Sequence, residues 1–416
     1  MFCRAFIYCV LAGEQQLVAR DGELADTRPI ILYFNGTFVH HQNGAHYRVA
    51  DLLRFLVNCG CKVVFYSFSN HPECPWGEGE IVRFLAEFPT VSLVLDPRSR
   101  WLHYWTRARK LLTSLLPSLT PWLLAARLPG TSPRYDQLKN DFPQAIYVVN
   151  YANGLLELNG IDSRNAIVET HDLDFLQFTK RYGFALTSRK IVGKFRSEFS
   201  LLGSTSALIA ISRTEAGIFR LFFPEKPAFF VPDYGTTKHK PGIAGARLFD
   251  YDLLFVGSEH LFNARGIISF MQTQPMLLEN YRLAIAGKVS SVPEVVAAAA
   301  ILPNVSLLGF VDDIGDLYNR TKIVVSPVDG TGLKIKVVEA LSAGKPVFGS
   351  QHSIEGLPPG ADDCVFTINS AHMLKMLADP ALLAAAGNAA QEFARSLSLK
   401  GDLAQLRSFL VDRGAC

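Results

Sequence analysis

The chain has 416 residues, 49% of them apolar and 19% charged, with a formal net charge of +3. That length suits two domains rather than one core, and the apolar content excludes a disordered chain. So small a positive balance excludes a dedicated nucleic-acid binder, which needs a dense Lys/Arg stripe.

Residues 1–28 receive no domain assignment: MFCRAFIYCVLAG is apolar, but Arg4 interrupts it and it is too short to span a bilayer. The first element is the strand PIILYFNG, 29–36, followed by the loop TFVHHQNG. In AHYRVADLLRFLVNCG, 45–60, the spacing of Val49, Leu52, Leu53 and Leu56 predicts a helix, with Gly60 beyond its end. CKVVFYSFS, 61–69, is the next strand and completes a βαβ unit. A helix over 78–88 and the strand VSLVLD, 91–96, extend it.

Residues 98–135 break this rhythm. Trp101, Tyr104, Trp105 and Trp122 stand among Arg98, Arg100, Arg107, Arg109 and Lys110. Two readings stay open: a face that contacts a membrane surface or a lipid-linked partner, or a pair of core helices broken at Pro117 and Pro121. Strands resume at 145–152, 166–172, 206–212 and 227–235, with a less regular, basic stretch at 173–203. The N-terminal domain is therefore expected over 29–235. Residues 236–250, polar and glycine-rich, are expected to be the linker.

The βα alternation then restarts, with strands at 252–258, 282–288, 304–313, 322–328, 346–350 and 364–368. This C-terminal domain covers 251–395, and a helical tail, 396–416, is placed where it can pack back on the N-terminal domain. Strands such as LLFVGS, RLAIAG and KIVVSP are apolar throughout, as in parallel sheets covered on both faces. The fold class is α/β, with two such halves. Ligands of these sheets sit beyond the carboxyl ends of the strands. The seven cysteines, with no CxxC pair, are read as reduced cytosolic thiols.

One such end is GTGLKIKVVEALSAG, 330–344. Gly330 and Gly332 let a group approach the backbone. A helix beginning near Leu333 presents free N–H groups to an anion, and Lys334 and Lys336 add positive charge. Lys336 and Glu339 are i,i+3 and share a face. Amides and cations for a pyrophosphate, with a carboxylate for ribose hydroxyls, are what a nucleotide needs. Arg265, in FNARG, is a further candidate for the phosphates. In the first half, Asn43-Gly44 opens a helix with Arg48 one turn in, and His171-Asp172 ends a strand. His171 could donate a hydrogen bond to a substrate or a developing charge. His40, His41 and His46 lack carboxylate companions, so no metal site is assigned. No GxGxxG or GxxxxGK[ST] opens either half, which argues against a dehydrogenase or an ATPase, and no GxSxG supports serine hydrolysis.

These stretches resemble retaining glycosyltransferases of the group 1 type (carbohydrate family 4). The resemblance covers most of 30–395 and is carried by LLFVGS, LAIAGK, VSLLGFVDDIGDLYNRTKIVVSPV, GTGLKIKVVEALSAGKPVFGS and IEGL, with NGAHYRVADLLRFLVNCGCKVVF and ETHD in the first half. It implies the GT-B fold, two Rossmann-like domains facing each other across a crevice. It implies a nucleotide-sugar donor, UDP- or GDP-linked, on the second domain, and a glycan or lipid-linked acceptor on the first, in polysaccharide or glycolipid synthesis. Glu339 would hold the donor ribose, Lys336 and Arg265 the diphosphate, aided by amides near Gly332 and Leu333. His171 would approach the sugar, and the loop at Gly44 the diphosphate. No cofactor or essential metal is implied, and the setting is cytoplasmic, at the membrane's cytoplasmic face where the acceptor is lipid-linked. Two departures stand out. Thr331 occupies the place of a sugar-contacting glutamate, and Gly257-Ser258 that of a glycine-arginine turn. A non-catalytic GT-B binding protein and a sugar-nucleotide epimerase remain as alternatives.

Overall fold

The computed structural model describes residues 27–41, 44–234, 249–311, 313–329 and 333–416. Seven apolar segments form the first sheet: β1 (Ile30–Tyr33), β2 (Val63–Phe68), β3 (Ser92–Asp96), β4 (Ile146–Asn150), β5 (Ala166–Thr170), β6 (Ala207–Ala210) and β7 (Ala228–Phe230). All pairings are parallel, in the order β3-β2-β1-β4-β5-β6-β7. Six more build the second: β8 (Tyr251–Val256), β9 (Leu283–Ala286), β10 (Val305–Gly309), β11 (Thr321–Ser326), β12 (Val347–Gly349) and β13 (Val365–Thr367). They too are parallel, in the order β10-β9-β8-β11-β12-β13. Each sheet reverses its strand order beside its first strand, which is the doubly wound arrangement that opens a ligand crevice at that point.

The register follows from the pleat. Ile30 and Leu32 face one layer of the first domain's core while Ile31 and Tyr33 face the other. Both faces of the strand are buried, so the segment reads as continuously apolar rather than alternating.

Residues 173–203 hold two helices, Asp174–Tyr182 and Arg189–Ser204, where the sequence reads as less regular. The first is only nine residues long and none of its side chains is fully buried, although Phe175 and Leu176 pack against the core. The predicted linker lies outside the described residues except for 249 and 250.

The chain's last helix, Leu403–Asp412, docks on the first domain. Leu406 and Leu410, one turn apart, enter its core at 1% exposure each. Fully burying a leucine is worth ~1.5–3 kcal/mol, so the two favour docking of this helix. Asp402 fixes the entry: its N–H donates to the Phe230 carbonyl at 2.6 Å, and its carboxylate accepts from the Phe230 N–H at 2.8 Å. This return path brings Cys416 to Cys61, and the two form a disulfide. The expectation of reduced thiols is corrected here, and the argument from thiols to a cytosolic setting loses its premise. Partners 355 residues apart leave no spacing signal in the sequence.

Candidate functional site

The carboxyl ends of the two sheets enclose a crevice of 1260 Å³. Its walls come from the segments after β1, β4 and β5 on one side and after β8, β9 and β11 on the other. His171, Gly44, Leu333, Lys334, Lys336 and Glu339 all line it. Gly330, Thr331 and Gly332, like Asn43, lie outside the described residues.

On the second domain the helix after β11 runs Ile335–Ser342, with Lys334 at its N-cap. It starts two residues later than the sequence suggests, because Leu333 turns inward and packs in the core at 5% exposure. Lys336 Nζ donates to Asn263 Oδ1 at 2.7 Å and sits 4.5 Å above the Phe255 ring. Burial, reinforced by the charge of Lys334, lowers its amine to about 7. Glu339 is 6% exposed. Its Oε2 lies 3.4 Å from the Tyr318 hydroxyl, and among the described residues its Oε1 has no hydrogen-bond partner. Burial pushes this carboxyl up to about 7, against the hydrogen bond from Tyr318, and Asp51 of the first domain adds to the rise. A buried carboxylate oxygen facing a crevice without a partner is a place for a ligand hydroxyl.

Asn263, two residues before the phosphate candidate Arg265, lines the crevice. Its amide Nδ2 donates to Ser258 O at 3.0 Å and Ser258 Oγ at 3.1 Å, and its Oδ1 accepts from Lys336. It thereby ties the turn after β8 to the helix after β11. Arg265 is exposed and lies outside the crevice lining, beside a cavity of 230 Å³ shared with Lys180, Phe262, Asp329 and His352. Helix geometry forces the choice: residues two apart on a helix point to nearly opposite sides. The signal for Asn263 was present in FNARG. Gly266 fixes which face turns inward, since a Cβ there would stand 2.0 Å from the Pro327 carbonyl oxygen.

On the first domain a polar chain runs behind the crevice wall. Arg48 Nε donates to Glu169 Oε1 at 2.7 Å, and Tyr234 donates to the same oxygen at 2.6 Å. His171 Nε2 lies 3.0 Å from Asn150 Oδ1 and 3.5 Å from Glu169 Oε2. Asn150 Nδ2 donates to Tyr33 O, so its Oδ1 is an acceptor and His171 Nε2 carries the proton. Burial alone would raise Glu169. The charge of Arg48, the nearness of His171 and the hydrogen bond from Tyr234 outweigh it and hold the carboxyl below its ordinary range. Tyr151, next to Asn150, takes φ 63°, a left-handed value that a residue with a Cβ adopts at a cost of ~1–3 kcal/mol. Its ring lies 4.4 Å from that of His171. Neither Glu169, Asn150 nor Tyr151 was picked out from sequence as a site residue.

The two walls meet at Gly44, where a Cβ would lie 3.2 Å from Ile335 Cγ1. The histidines nearby are otherwise engaged: His40 Nε2 meets Glu80 at 2.7 Å, and His41 stacks on Tyr47. Burial, with the charges of His41 and His40 behind it, lowers His46 to about 4, so it is neutral near pH 7. Among the described residues no group of three or more His, Cys, Asp or Glu is arranged to hold a metal ion.

Residues 250–396 match the family model of glycosyl transferases group 1. No curated protein matches the chain in sequence. Several solved structures match its fold. Sucrose-phosphate synthase from Thermosynechococcus elongatus superposes with a TM-score of 0.66 at 15% identity, over 92% of this chain and 99% of that one. HepE from Anabaena, in complex with UDP, gives 0.58 at 14% identity, over 92% and 98%. WaaG, a glycosyltransferase involved in lipopolysaccharide biosynthesis, gives 0.57 at 14%, over 92% and 99%. The chain thus has the GT-B fold, and its second domain, 250–396, carries the match to the group 1 glycosyl transferases.

Proposed function

We propose that this protein is a retaining glycosyltransferase that moves a sugar from a nucleoside diphosphate donor, UDP- or GDP-linked, to a glycan or lipid-linked acceptor. Its setting would be polysaccharide or glycolipid synthesis. The observation that carries the reading is Glu339: a buried carboxylate with one unpartnered oxygen, one helical turn from Lys336, at the open end of a parallel sheet. The carboxylate suits the ribose hydroxyls. Lys336, and the first free amides of the helix Ile335–Ser342, suit the diphosphate. A buried amine lowered to about 7 regains its proton when an anion arrives, so Lys336 would bind as a cation and counter the charge that grows on the leaving group. Lys288 and Lys334 line the same crevice and add to that field. His171, oriented by Glu169 and Asn150, faces the donor from the acceptor side.

HepE and WaaG support this reading through their fold, the former with UDP bound. The test is calorimetric titration of the full chain with UDP, GDP and their sugars. Saturable binding of one nucleotide, weakened at least tenfold in Glu339→Ala with the fold intact, is the expected result. Absence of binding by every nucleotide overturns the proposal, and unchanged affinity in Glu339→Ala overturns the ribose role.

A further inference from the structure

The outer face of the first domain carries a surface that the crevice does not use. The helix Arg100–Leu115 buries Leu102, Arg109 and Thr113. Arg109 holds it from beneath, donating to the carbonyls of Leu156 and Leu158 at 3.2 Å each. The opposite side is apolar and faces outward. Trp101, Tyr104, Leu111 and Leu115 recur at helical spacing and are 74%, 62%, 60% and 62% exposed. The short helix Thr120–Ala125, packed beside it, adds Trp122 at 78% exposure. Single exposed hydrophobics are ordinary, but a set of adjoining ones with two tryptophans marks a surface that meets something.

The charges say what it meets. From Pro97 to Tyr135 the chain has no Asp or Glu, and Arg100 and Arg107 flank the apolar stripe in the open. The helix Arg189–Ser204 packs along this one and contributes exposed Arg189, Lys190 and Arg196. Phe175 to Ser197 likewise contain no acid. Asp174, the acid beside this surface, is held by Lys110 and Lys194; an apolar stripe with tryptophan and a predominantly cationic rim is the composition of a helix lying in the plane of an anionic bilayer. Among the described residues no helix is long and apolar enough to cross a membrane, so the contact is one of lying on the surface. The basic stretch also reaches the crevice, which Arg181 and Tyr182 line.

We propose that this face seats the protein on an anionic lipid bilayer, with the crevice opening beside the membrane. That the acceptor is then carried in the lipid rests on the glycosyltransferase reading; the docking itself does not. The test is co-sedimentation of the full chain with phosphatidylcholine vesicles, with and without phosphatidylglycerol, at low and high salt. Binding to the anionic vesicles, lost at high salt, is expected. Trp101→Ser/Trp122→Ser should abolish it, and Arg107→Glu/Lys190→Glu should weaken it by at least roughly tenfold. All four substitutions are on exposed side chains, and circular dichroism checks the fold. Failure to bind anionic vesicles, or binding by both variants equal to that of the parent protein, overturns the proposal. So does a concentration-dependent dimer that the tryptophan variant abolishes while vesicles stay unbound, since a second copy then covers the face. Nucleotide titration of the same variants separates the two readings: docking lost with nucleotide binding intact concerns this face alone.

Discussion

Arg48 Nε donates to Glu169 Oε1 at 2.7 Å, with the two side chains at 3% and 0% exposure. The pair stands directly behind His171, which meets the other carboxylate oxygen at 3.5 Å. An ion pair sealed in this way adds little net stability, because the cost of desolvation offsets the attraction; losing one member is what destabilises.

Glu169→Gln therefore leaves the Arg48 guanidinium buried without its counter-charge. The expected loss is about 3–5 kcal/mol in urea unfolding. The double variant Arg48→Met/Glu169→Leu, which removes both charges, should recover much of it. An unfolding midpoint for Glu169→Gln equal to that of the parent protein would show that the pair is not closed in solution.

His171→Ala is predicted to separate binding from chemistry. Its ring reaches the crevice, but its hydrogen bond is to Asn150 and its nearest charge is Glu169, both of its own domain, away from Glu339 and Lys336. Nucleotide affinity should stay within about threefold while turnover falls on the order of 10²-fold, as for loss of one donor to developing charge. Equal turnover would make His171 a structural residue of this network.

The sheets were legible in the sequence because a strand buried on both faces is a continuous apolar run with no competing reading. Polar residues inside such runs were legible too, and under-used. Glu169 in AIVETHD and Asn150 in AIYVVNYA each break a buried strand, and a buried polar group needs a partner. That alone points toward Arg48 and His171. The helix Asp174–Tyr182 is short, and its apolar side chains Phe175 and Leu176 are only partly buried, which leaves a weak periodic signal. The inward choice of Asn263 over Arg265 was not legible, because it depends on Gly266 meeting Pro327 across the fold. The disulfide Cys61–Cys416 depends on where the last helix docks, and no local pattern encodes that.

Gly266→Ala tests this packing. A Cβ would lie 2.0 Å from the Pro327 oxygen, a backbone atom that cannot step aside. The helix Leu261–Thr273 must then shift, at a cost of ~1–3 kcal/mol or more. The shift draws Asn263 away from Lys336, so nucleotide affinity should fall together with stability. Arg265→Ala, on the outward side of the same helix, should change both far less. A Gly266→Ala protein with the parent's melting temperature would mean that the helix does not press on the end of β11.

The last prediction concerns Glu339 and Lys336, which burial drives from opposite sides to about 7. Glu339 keeps its proton in the folded state while the unfolded chain has ionised from about 4.5 upward, so its contribution to stability is present below that pH and is lost toward 7. Lys336 has lost its proton in the folded state while the unfolded chain holds one up to about 10.5, so stability recovers between 7 and 10.5. Each change is on the order of 3–5 kcal/mol at most, and the pair contributes least near pH 7. Glu339→Gln should flatten the acid-side fall and Lys336→Met the alkaline-side rise in unfolding measured against pH. Nucleotide acts on both groups. A diphosphate draws a proton onto Lys336, whereas ribose hydroxyls favour the ionised Glu339. At pH 8, with Glu339 already ionised, binding should take up a proton; at pH 6, with Lys336 already charged, it should release one. Titration calorimetry in two buffers of different ionisation enthalpy reads this directly. Lys336→Met should abolish the uptake at pH 8 and Glu339→Gln the release at pH 6. Proton exchange that keeps one sign from pH 6 to 8 would mean that these two groups do not meet the nucleotide as a pair.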